Sequence, residues 1–376
     1  APDGSHGWTR QLSGDGDQVI GSIAIDAANQ ALLAGWFSME LVTPGGVDSF
    51  GGYGADDVFV MKLDAAGDYL WGERPVAGAG RQRATGVVGG PGSTIVITGF
   101  FETSIDIAGD EHVVDLGHEP DDGFVATFDT SGVYVGSEAF GAWGHQHPED
   151  LVALDDGTVI MVGDCSGGIT TPSECSAPGD LFVVAYHGNV RGDVATFPAP
   201  GNEFAHSVAT DGQDILLVGD FDTQVNFAGE PAGELANQGG REVFVVKLRG
   251  SDLSHRWSRS FGGVGDDIAY DVTIDEVGRV FVTGGVRDSV DLGDGEEGAP
   301  ATGEDVFVLC LALDDGSTLA SWRFGGEGDQ YGRGVAVDGE GDLVLVGYME
   351  GTISFGGDWL TSQSGDRDLF VAKLRP

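Results

Sequence analysis

The stretch "SFGGVGDDIAYDVTIDEVGRVFVTG" at residues 260–284 closely matches "RFGGEGDQYGRGVAVDGEGDLVLVG" at residues 323–347. Both stretches are 25 residues long and share Phe-Gly-Gly-x-Gly-Asp, a later Asp, the next Gly and the closing Gly. Their first residues lie 63 positions apart. Self-similarity at a fixed period indicates a repeat architecture, so further copies were sought along the whole chain.

Two sequence anchors each recur six times in the same order. One is a Gly that ends an apolar strand, at spacings of 64, 64, 56, 65 and 63 residues: Gly35, Gly99, Gly163, Gly219, Gly284 and Gly347. The other is a Phe that follows an acidic residue and one further residue: Phe59, Phe124, Phe182, Phe244, Phe307 and Phe370. Six matched copies predict six structural units.

Each unit has the pattern of four short strands, which we name A, B, C and D. Strand A follows a Gly-Asp turn, strand B ends at the anchor Gly, strand C carries the anchor Phe, and strand D often contains a Trp. Four short antiparallel strands in tandem repeats are typical of β-propeller blades. We therefore predict an all-β protein, a six-bladed β-propeller of four-stranded antiparallel blades. It forms one domain over residues 1–376, with units at about 14–77, 78–140, 141–198, 199–261, 262–325 and 326–376.

The two ends of the chain complement each other. The sixth unit has strands A, B and C but no strand D after "DLFVAKLRP". The early segment "GWTRQLSGDGD" resembles "HRWSRSFGGVGD" at Trp-x-Arg and at Gly-x-Gly-Asp. We predict that residues 7–13 pair into the last blade and close the ring, which would remove two exposed sheet edges.

The repeat resembles the bacterial β-propeller repeat family, the SBBP-type repeats of large secreted and surface proteins, over about residues 8–376. The matching residues are Phe261, Gly262, Gly263, Gly265, Asp266, Asp275, Gly278, Gly284, Asp305 and Phe307, and in the last unit Asp368, Phe370, Lys373 and Leu374. The resemblance implies the propeller fold and says little about function. Unit 3 departs most, because "AFGAWGHQHPEDLVAL" replaces the Gly-Asp turn.

The charge of the chain narrows the choice of partners. The net charge is −43 and Lys occurs only three times, which disfavours nucleic acid and anionic membranes as partners. No run of 18 apolar residues is present, so we expect no membrane insertion. Solubility explains the acidity most simply, and binding of cations is the alternative. We expect a monomer.

The three cysteines divide into a pair and a single residue. Cys165 and Cys175 lie ten residues apart in a loop-like context, which predicts a structural disulfide. Cys310 lies in the apolar strand "DVFVLCLAL" and is expected to pack as a small hydrophobe. A disulfide favours a secreted or cell-surface location.

Strand order places the D–A turns and the B–C loops on one face, and ligand sites collect where loops converge on a rigid scaffold. We predict a ligand site there at Asp17, Arg81, His145, His147, Glu203, His206, Asp266, Asp267, Asp329 and Arg333. The alternative is that each turn Asp only caps the backbone of its own turn. The acidic residue two before each anchor Phe occurs in every unit and is expected to be a structural latch: Asp57, Asp122, Asp180, Glu242, Asp305 and Asp368.

The sequence leaves the activity open and leans away from an enzyme. No G-x-S-x-G, H-E-x-x-H or P-loop motif occurs, so no catalytic residue and no certain cofactor is predicted. Our first hypothesis is a non-catalytic extracellular binding or scaffolding propeller that recognises a protein or a glycan through the D–A and B–C loops. The alternative is a Ca²⁺-dependent hydrolase or lyase at the channel mouth, by analogy of fold alone. A structural spacer is a third reading.

Overall fold

The structure is a computed structural model that describes residues 6–52, 55–78, 80–90, 92–113, 121–141, 144–169, 175–228, 233–293, 296–297, 303–363 and 366–376. Strands dominate these residues, and a short 3₁₀ turn lies at Pro44–Gly46. No helix in this part of the chain is long and apolar enough to cross a membrane.

The blade strands follow one another in the predicted order. Blade 1 holds β1 (Gln18–Ile25), β2 (Ala31–Phe37), β5 (Asp57–Leu63) and β6 (Tyr69–Ala77), and blade 2 holds β7 (Gln82–Gly90), β8 (Thr94–Phe101), β11 (Asp122–Asp129) and β12 (Tyr134–Phe140). Blade 3 holds β13 (Gln146–Ala153), β14 (Thr158–Gly167), β15 (Cys175–His187) and β16 (Val190–Thr196), and blade 4 holds β17 (Glu203–Thr210), β18 (Asp214–Phe221), β21 (Glu242–Arg249) and β22 (His255–Gly263). Blade 5 holds β23 (Ile268–Ile274), β24 (Arg279–Arg287), β27 (Glu304–Ala312) and β28 (Thr318–Phe324), and blade 6 holds β29 (Gln330–Val337), β30 (Leu343–Met349) and β33 (Asp368–Leu374).

Short hairpins occupy five of the B–C loops. They are β3 (Glu40–Val42) with β4 (Ser49–Gly51), β9 (Ser104–Ile107) with β10 (Asp110–Val113), β19 (Gln224–Asn226) with β20 (Glu234–Ala236), β25 (Val290–Asp291) with β26 (Glu296–Glu297), and β31 (Thr352–Ile353) with β32 (Leu360–Thr361). Two of them extend strand D of the preceding blade, because β9 pairs with β6 and β25 pairs with β22.

The sheets of blades 1–5 run A-B-C-D in antiparallel order. The sheet of blade 6 runs A-B-C. The predicted fold class, an all-β six-bladed β-propeller of four-stranded antiparallel blades, is confirmed. The chain divides into two compact units, with blades 1–3 before and blades 4–6 after the boundary between Thr196 and Phe197. Closure of the ring by residues 7–13 stays a prediction.

The core lies between blades rather than within them. One cluster joins Leu32 and Val60 of blade 1 to Ile97 and Phe124 of blade 2, and a corresponding cluster joins blades 4 and 5. A single blade therefore cannot bury both of its faces without a neighbour. This dependence on neighbours is the physical reason that the sequence repeats.

Blade 3 carries the predicted disulfide. Cys165 near the end of strand B is bonded to Cys175 at the start of strand C, with a Cα–Cα distance of 6.0 Å. The bond closes the B–C loop of this blade. Cys310 is buried and unpaired, as expected.

Strand A contains a β-bulge at the same position in all six blades. In each blade the pairing of strand A with strand B slips by one residue, so one residue of strand A has no partner opposite it. The bulged residues are Gly21, Thr85, Glu149, His206, Tyr270 and Arg333. A bulge re-aims a side chain and often lies beside a functional site.

Candidate functional site

Three side-chain positions recur beside each bulge and differ in chemistry from blade to blade. The first position is the strand A residue that lies two before the bulged residue, and the second is the bulged residue itself. The third is the strand B residue that pairs directly with the first position. We call them the variable triplet of a blade. The triplets are Val19/Gly21/Trp36, Arg83/Thr85/Phe100, His147/Glu149/Asp164, Phe204/His206/Asp220, Ile268/Tyr270/Gly285 and Tyr331/Arg333/Tyr348.

The triplets lie at the end of the blades that carries the D–A turns and B–C loops, and neighbouring triplets touch. In the first compact unit, which holds blades 1–3, Arg83 stacks over Trp36 of the preceding blade at 4.2 Å. His147 lies 4.8 Å from the ring of Phe100. In the second compact unit, which holds blades 4–6, the rings of His206 and Tyr270 on consecutive blades lie 5.6 Å apart. The variable residues therefore form a continuous surface within each unit.

The blade 3 triplet gathers a histidine and two carboxylates. His147 on strand A pairs directly with Asp164 on strand B, and the bulge places Glu149 beside them. One ligand atom from each of the three residues lies within 4.8 Å of the others. Burial, and then the neighbouring carboxylates of Asp164 and Asp150, raise the pKa of Glu149 to about 8.

Two further side chains border this group. His147 Nε2 lies 2.9 Å from Asp121 Oδ2 of the preceding blade, and His145 Nε2 lies 3.5 Å from Asp164 Oδ2. His145 Nδ1 is held at 3.1 Å by Ser166 Oγ. We call these five residues the histidine–carboxylate cluster: Asp121, His145, His147, Glu149 and Asp164.

Blades 4–6 carry a row of aromatic rings across their triplets. Consecutive ring centroids lie 6.4, 5.6, 6.4 and 4.8 Å apart along Phe204, His206, Tyr270, Tyr331 and Tyr348. Each of the five residues is partly exposed. Together with Arg333 they form what we call the aromatic–arginine row.

Arg333 is held by aromatic rings. Its guanidinium carbon lies 3.7 Å from the ring centroid of Tyr270 and 5.2 Å from that of Tyr348. Its Nη2 donates a 2.9 Å hydrogen bond to the Tyr348 hydroxyl. Among the ion pairs of the described residues, none involves Arg333, and its side chain is exposed. A cation that no carboxylate neutralises is unusual in a chain of net charge −43.

The row ends at a buried carboxylate in blade 4. Asp220 is fully buried and accepts contacts from His206 Nε2 at 2.8 Å and from Arg241 Nε at 2.6 Å. Arg241 also stacks over Phe204 at 4.8 Å. These contacts fix the histidine and the arginine at this end of the row.

The D–A turn residues predicted as ligand-binding hold the loops together. Arg81 pairs with Glu102 at the start of the B–C loop of blade 2, and His145 contacts Ser166 near the end of strand B of blade 3. The carboxylates of Asp266 and Asp329 accept hydrogen bonds from the backbone N–H groups of residues 241 and 304, at 3.0 and 3.1 Å. The alternative in which each turn Asp caps its own turn is therefore wrong for these two, because they bind the backbone at or just before the start of strand C of the preceding blade.

The remaining predicted residues differ in exposure. Glu203 and Asp267 are fully buried, and Asp267 accepts backbone hydrogen bonds at 2.9 Å from residues 263 and 287. Asp17 is exposed, and its backbone N–H donates to Ser38 Oγ at 2.9 Å. The ligand-binding role of every residue in the predicted set stays a prediction, as does the involvement of Ca²⁺.

Sequence reasoning named His147, His206 and Arg333 but missed their triplet partners. The missed partners are Glu149, Asp164, Phe204, Asp220, Tyr331 and Tyr348, and Tyr270 at the bulge of blade 5 was missed as well. A signal for two of them was present, because the bulged residues recur at spacings of 64, 64, 57, 64 and 63 residues, close to the period of the anchors. The direct pairing of strand A with strand B was not visible in the sequence.

Comparisons with known proteins identify no family for this chain. No family model matches the chain, and no curated protein matches it. Among solved structures, the Dos1 propeller has 9% identity and a TM-score of 0.47, with 98% of this chain and 74% of that chain covered. Sqt1 from Chaetomium thermophilum has 11% identity and a TM-score of 0.44, covering 96% and 87%. The β-propeller domain of the Trilobed protease from Pyrococcus furiosus has 9% identity and a TM-score of 0.35, covering 94% of each chain.

Proposed function

We propose that this chain is a non-catalytic extracellular binding propeller of the SBBP-type repeat family, and that it binds a glycan through the aromatic–arginine row. The observation that carries the proposal is the row itself, with Arg333 lying between the rings of Tyr270 and Tyr348. The Cys165–Cys175 disulfide supports an extracellular location.

The chemistry of the row suits a saccharide. The C–H groups of a sugar ring pack on the electron-rich face of an aromatic ring, and its hydroxyl groups need polar partners at the edge. Tyr331 and Tyr348 offer partly exposed rings with hydroxyl groups, and Arg333 offers N–H donors. Tyr and Arg are also enriched in protein interfaces, so a protein ligand is the alternative that an empty glycan array would favour.

The length of the row favours an oligosaccharide over a single sugar. The rings run from Phe204 in blade 4 to Tyr348 in blade 6, and each link between neighbouring rings is close enough for contact. The side chains project from strands rather than from long loops. A site on paired strands loses little conformational entropy on binding, which favours affinity.

The test combines a glycan array with calorimetry. A glycan retained on the array should bind the intact protein, and Tyr270→Ala and Arg333→Ala should each weaken its binding by about tenfold or more, about 1.4 kcal/mol. The matched control is Arg375→Ala, an arginine at the other end of the last blade whose side chain is 85% exposed. Wild-type affinity in both row variants, or retention of no glycan at all, would contradict the proposal.

The Ca²⁺-dependent alternative has its own measurement. A calorimetric titration with millimolar Ca²⁺ that shows no heat of binding would remove it. Because glycan binding by the row is proposed without Ca²⁺, that binding should persist in the presence of a chelator.

A further inference from the structure

We propose that His147, Glu149 and Asp164 of blade 3 form a binding site for a divalent transition-metal ion, with Zn²⁺ as the representative ion. The site lies in the first compact unit and is independent of the glycan site proposed in the second. Its donor set of one imidazole and two carboxylates is of the kind that zinc sites use.

The backbone holds the three donors on one rigid element. His147 and Asp164 face each other across the paired strands A and B, and the bulge brings Glu149 to the same side. Their ligand atoms lie within 4.8 Å of one another. Zinc binds such atoms at about 2.0–2.2 Å, so binding would draw the three together by small rotations about side-chain bonds.

The charge of this group favours a divalent cation. Asp164 is 4% exposed, and Glu149 and Asp164 together carry two negative charges when ionised. Among the described residues, the ion pairs of this group are made by the histidines, and no Lys or Arg pairs with Glu149 or Asp164. Two adjacent carboxylates, one of them buried, with no Lys or Arg beside them are costly, and a divalent ion would supply the positive charge.

A second acidic group in the chain shows the contrasting arrangement. Asp338, Glu340 and Asp342 also bring their carboxylates within 4.8 Å of one another. There, however, Lys373 Nζ lies 2.6 Å from Asp338 and 3.2 Å from Asp342. The lysine already supplies the counter-charge, so we infer no metal at that place.

Neighbouring groups orient the histidines as they do in known metal sites. Asp121 Oδ2 contacts one ring nitrogen of His147 at 2.9 Å, which leaves the other nitrogen for a ligand. Ser166 Oγ holds Nδ1 of His145, so that Nε2 points to Asp164. A carboxylate behind a ligating histidine fixes its orientation and tautomer and strengthens metal binding. His145 is therefore a candidate fourth ligand.

The other blades provide an internal comparison. The propeller fold places no metal-binding requirement on these positions, because the same three sites hold Val19/Gly21/Trp36 in blade 1 and Ile268/Tyr270/Gly285 in blade 5. Only in the blade 3 triplet are all three residues metal-ligating types. The combination therefore needs an explanation other than blade structure.

The donor set also selects the type of metal. Ca²⁺ and Mg²⁺ prefer oxygen ligands alone, whereas imidazole suits Zn²⁺, Co²⁺ and Ni²⁺. We therefore expect Zn²⁺ and Co²⁺ to bind more tightly than Ca²⁺, by at least a hundredfold.

The experiment uses the full chain without a polyhistidine tag, stripped of metal by a chelator. Calorimetry with ZnCl₂ should show one equivalent bound, and CoCl₂ should give a visible d–d absorption band. Glu149→Gln and His147→Ala should each weaken Zn²⁺ binding by tenfold or more. Glu149→Gln removes a charge with little change in volume, so that its fold, checked by circular dichroism, should be retained.

Two control variants keep the result specific. Glu340→Gln in the lysine-neutralised group and His206→Ala in the blade 4 triplet should leave the Zn²⁺ affinity unchanged. The proposal is overturned if wild-type protein binds no Zn²⁺ or Co²⁺ at 1 mM, if Glu149→Gln binds as tightly as wild type, or if Ca²⁺ competes at equal concentration. Arg333→Ala should bind Zn²⁺ normally, which separates this site from the glycan site.

Discussion

Phe307 on strand C of blade 5 lies directly opposite Gly284 on strand B, and this pairing joins the two sequence anchors in space. The same register pairs the anchor Gly and the anchor Phe in every blade: Gly35 with Phe59, Gly99 with Phe124, Gly163 with Phe182, Gly219 with Phe244, and Gly347 with Phe370. The ring of Phe307 occupies the space that a side chain at position 284 would need. Each anchor therefore explains the other.

Replacing Gly284 by Ala should destabilise blade 5. A Cβ at this position would lie 2.8 Å from the Phe307 ring and 2.9 Å from Ala269 Cα, and it would also meet the carbonyl oxygen of Ile268. Backbone atoms cannot move away cheaply, so we expect a loss of about 2–3 kcal/mol in the free energy of unfolding. Urea denaturation followed by tryptophan fluorescence measures this loss.

The matched control is Gly339→Ala in the A–B turn of blade 6. No atom lies within 4 Å of a Cβ at Gly339, and its φ is not in the left-handed region. This variant should change the free energy of unfolding by less than about 0.5 kcal/mol. Equal effects of the two substitutions would show that the close Gly–Phe packing is not what selects glycine.

The latch residue Asp305 should contribute more to the free energy of unfolding than a surface ion pair does. Its Oδ2 lies 2.8 Å from Arg323 Nε on strand D, and both side chains are 9% exposed. Asp305→Ala would leave the Arg323 guanidinium buried without its carboxylate partner. We expect a loss of about 3–5 kcal/mol in the free energy of unfolding.

A double-mutant cycle isolates the pairing energy. Arg323→Met in the Asp305→Ala background should restore part of the lost stability, because it removes the buried charge that Asp305 no longer balances. The control is Asp252→Ala, whose exposed pair with Arg249 at 3.6 Å is screened by solvent and should contribute little to stability. Additive effects of the Asp305 and Arg323 substitutions would argue against a latch.

Asp122, the latch residue of blade 2, should make stability depend on pH. Burial, and then the carboxylate of Asp121, raise the pKa of Asp122 from 3.8 to about 7. Between these two values the folded protein binds a proton that the unfolded chain does not. The stabilisation that comes from protonated Asp122 is therefore fully present below pH 3.8. It is lost as the pH rises to about 7.

The test compares melting temperatures at pH 5.5 and pH 8.5. Wild type should melt at a lower temperature at pH 8.5, and Asp122→Asn should show a smaller drop, because the amide stays neutral at both values. Burial also raises the pKa of Asp267 to about 7, so part of the drop should remain. The control is Asp129→Asn, in which hydrogen bonds from Ser131 and Val133 hold the pKa of the aspartate low. The change in melting temperature caused by Asp129→Asn should be the same at both pH values. If the melting temperature of Asp122→Asn drops between pH 5.5 and pH 8.5 as much as that of wild type, Asp122 is not the source of the pH dependence.

The sequence predicted the blades because their determinants are local and repeated. The anchors at Gly284 and Phe307 recur in each unit, so the pattern was visible without knowing that the two residues meet. Cys165 and Cys175 were paired correctly for a similar reason, since they lie ten residues apart on the two sides of one loop.

The site could be predicted only in part because it depends on strand register. His147 and Arg333 stood out as residues that break the repeat. Asp164 and Tyr348 lie in apolar strand B sequences, and only the direct pairing of strands A and B brings them to those residues. The bulge is equally hidden, because one extra residue in a strand leaves no compositional trace. Burial of Glu203 and Asp267 was not predicted either, because a charged residue after a turn is usually exposed.

Residues 8–13 make the contacts that strand D of a blade makes with the next blade. The indole N–H of Trp8 donates to the carbonyl oxygen of residue 65 in the C–D turn of blade 1, at 3.2 Å. Trp71 and Trp257 make the same contact with the next C–D turns, at 3.0 and 3.1 Å. Ser13 pairs with Val42 of the B–C hairpin, as β6 pairs with β9 and β22 with β25. The segment thus stands in for a strand D in front of blade 1.

Removing residues 1–13 should therefore lower the melting temperature by several degrees, since Leu12 packs against the core cluster that contains Phe59. Trp8 is 40% exposed whereas Trp257 is 6% exposed, so Trp8→Ala should cost less than Trp257→Ala, about 1–2 against about 3–5 kcal/mol. His6→Ala is the control and should have little effect, because the His6 side chain is exposed. If the protein without residues 1–13 melts at the same temperature as the intact protein, the segment does not serve as a blade strand. The predicted closure of the ring through this segment is then wrong.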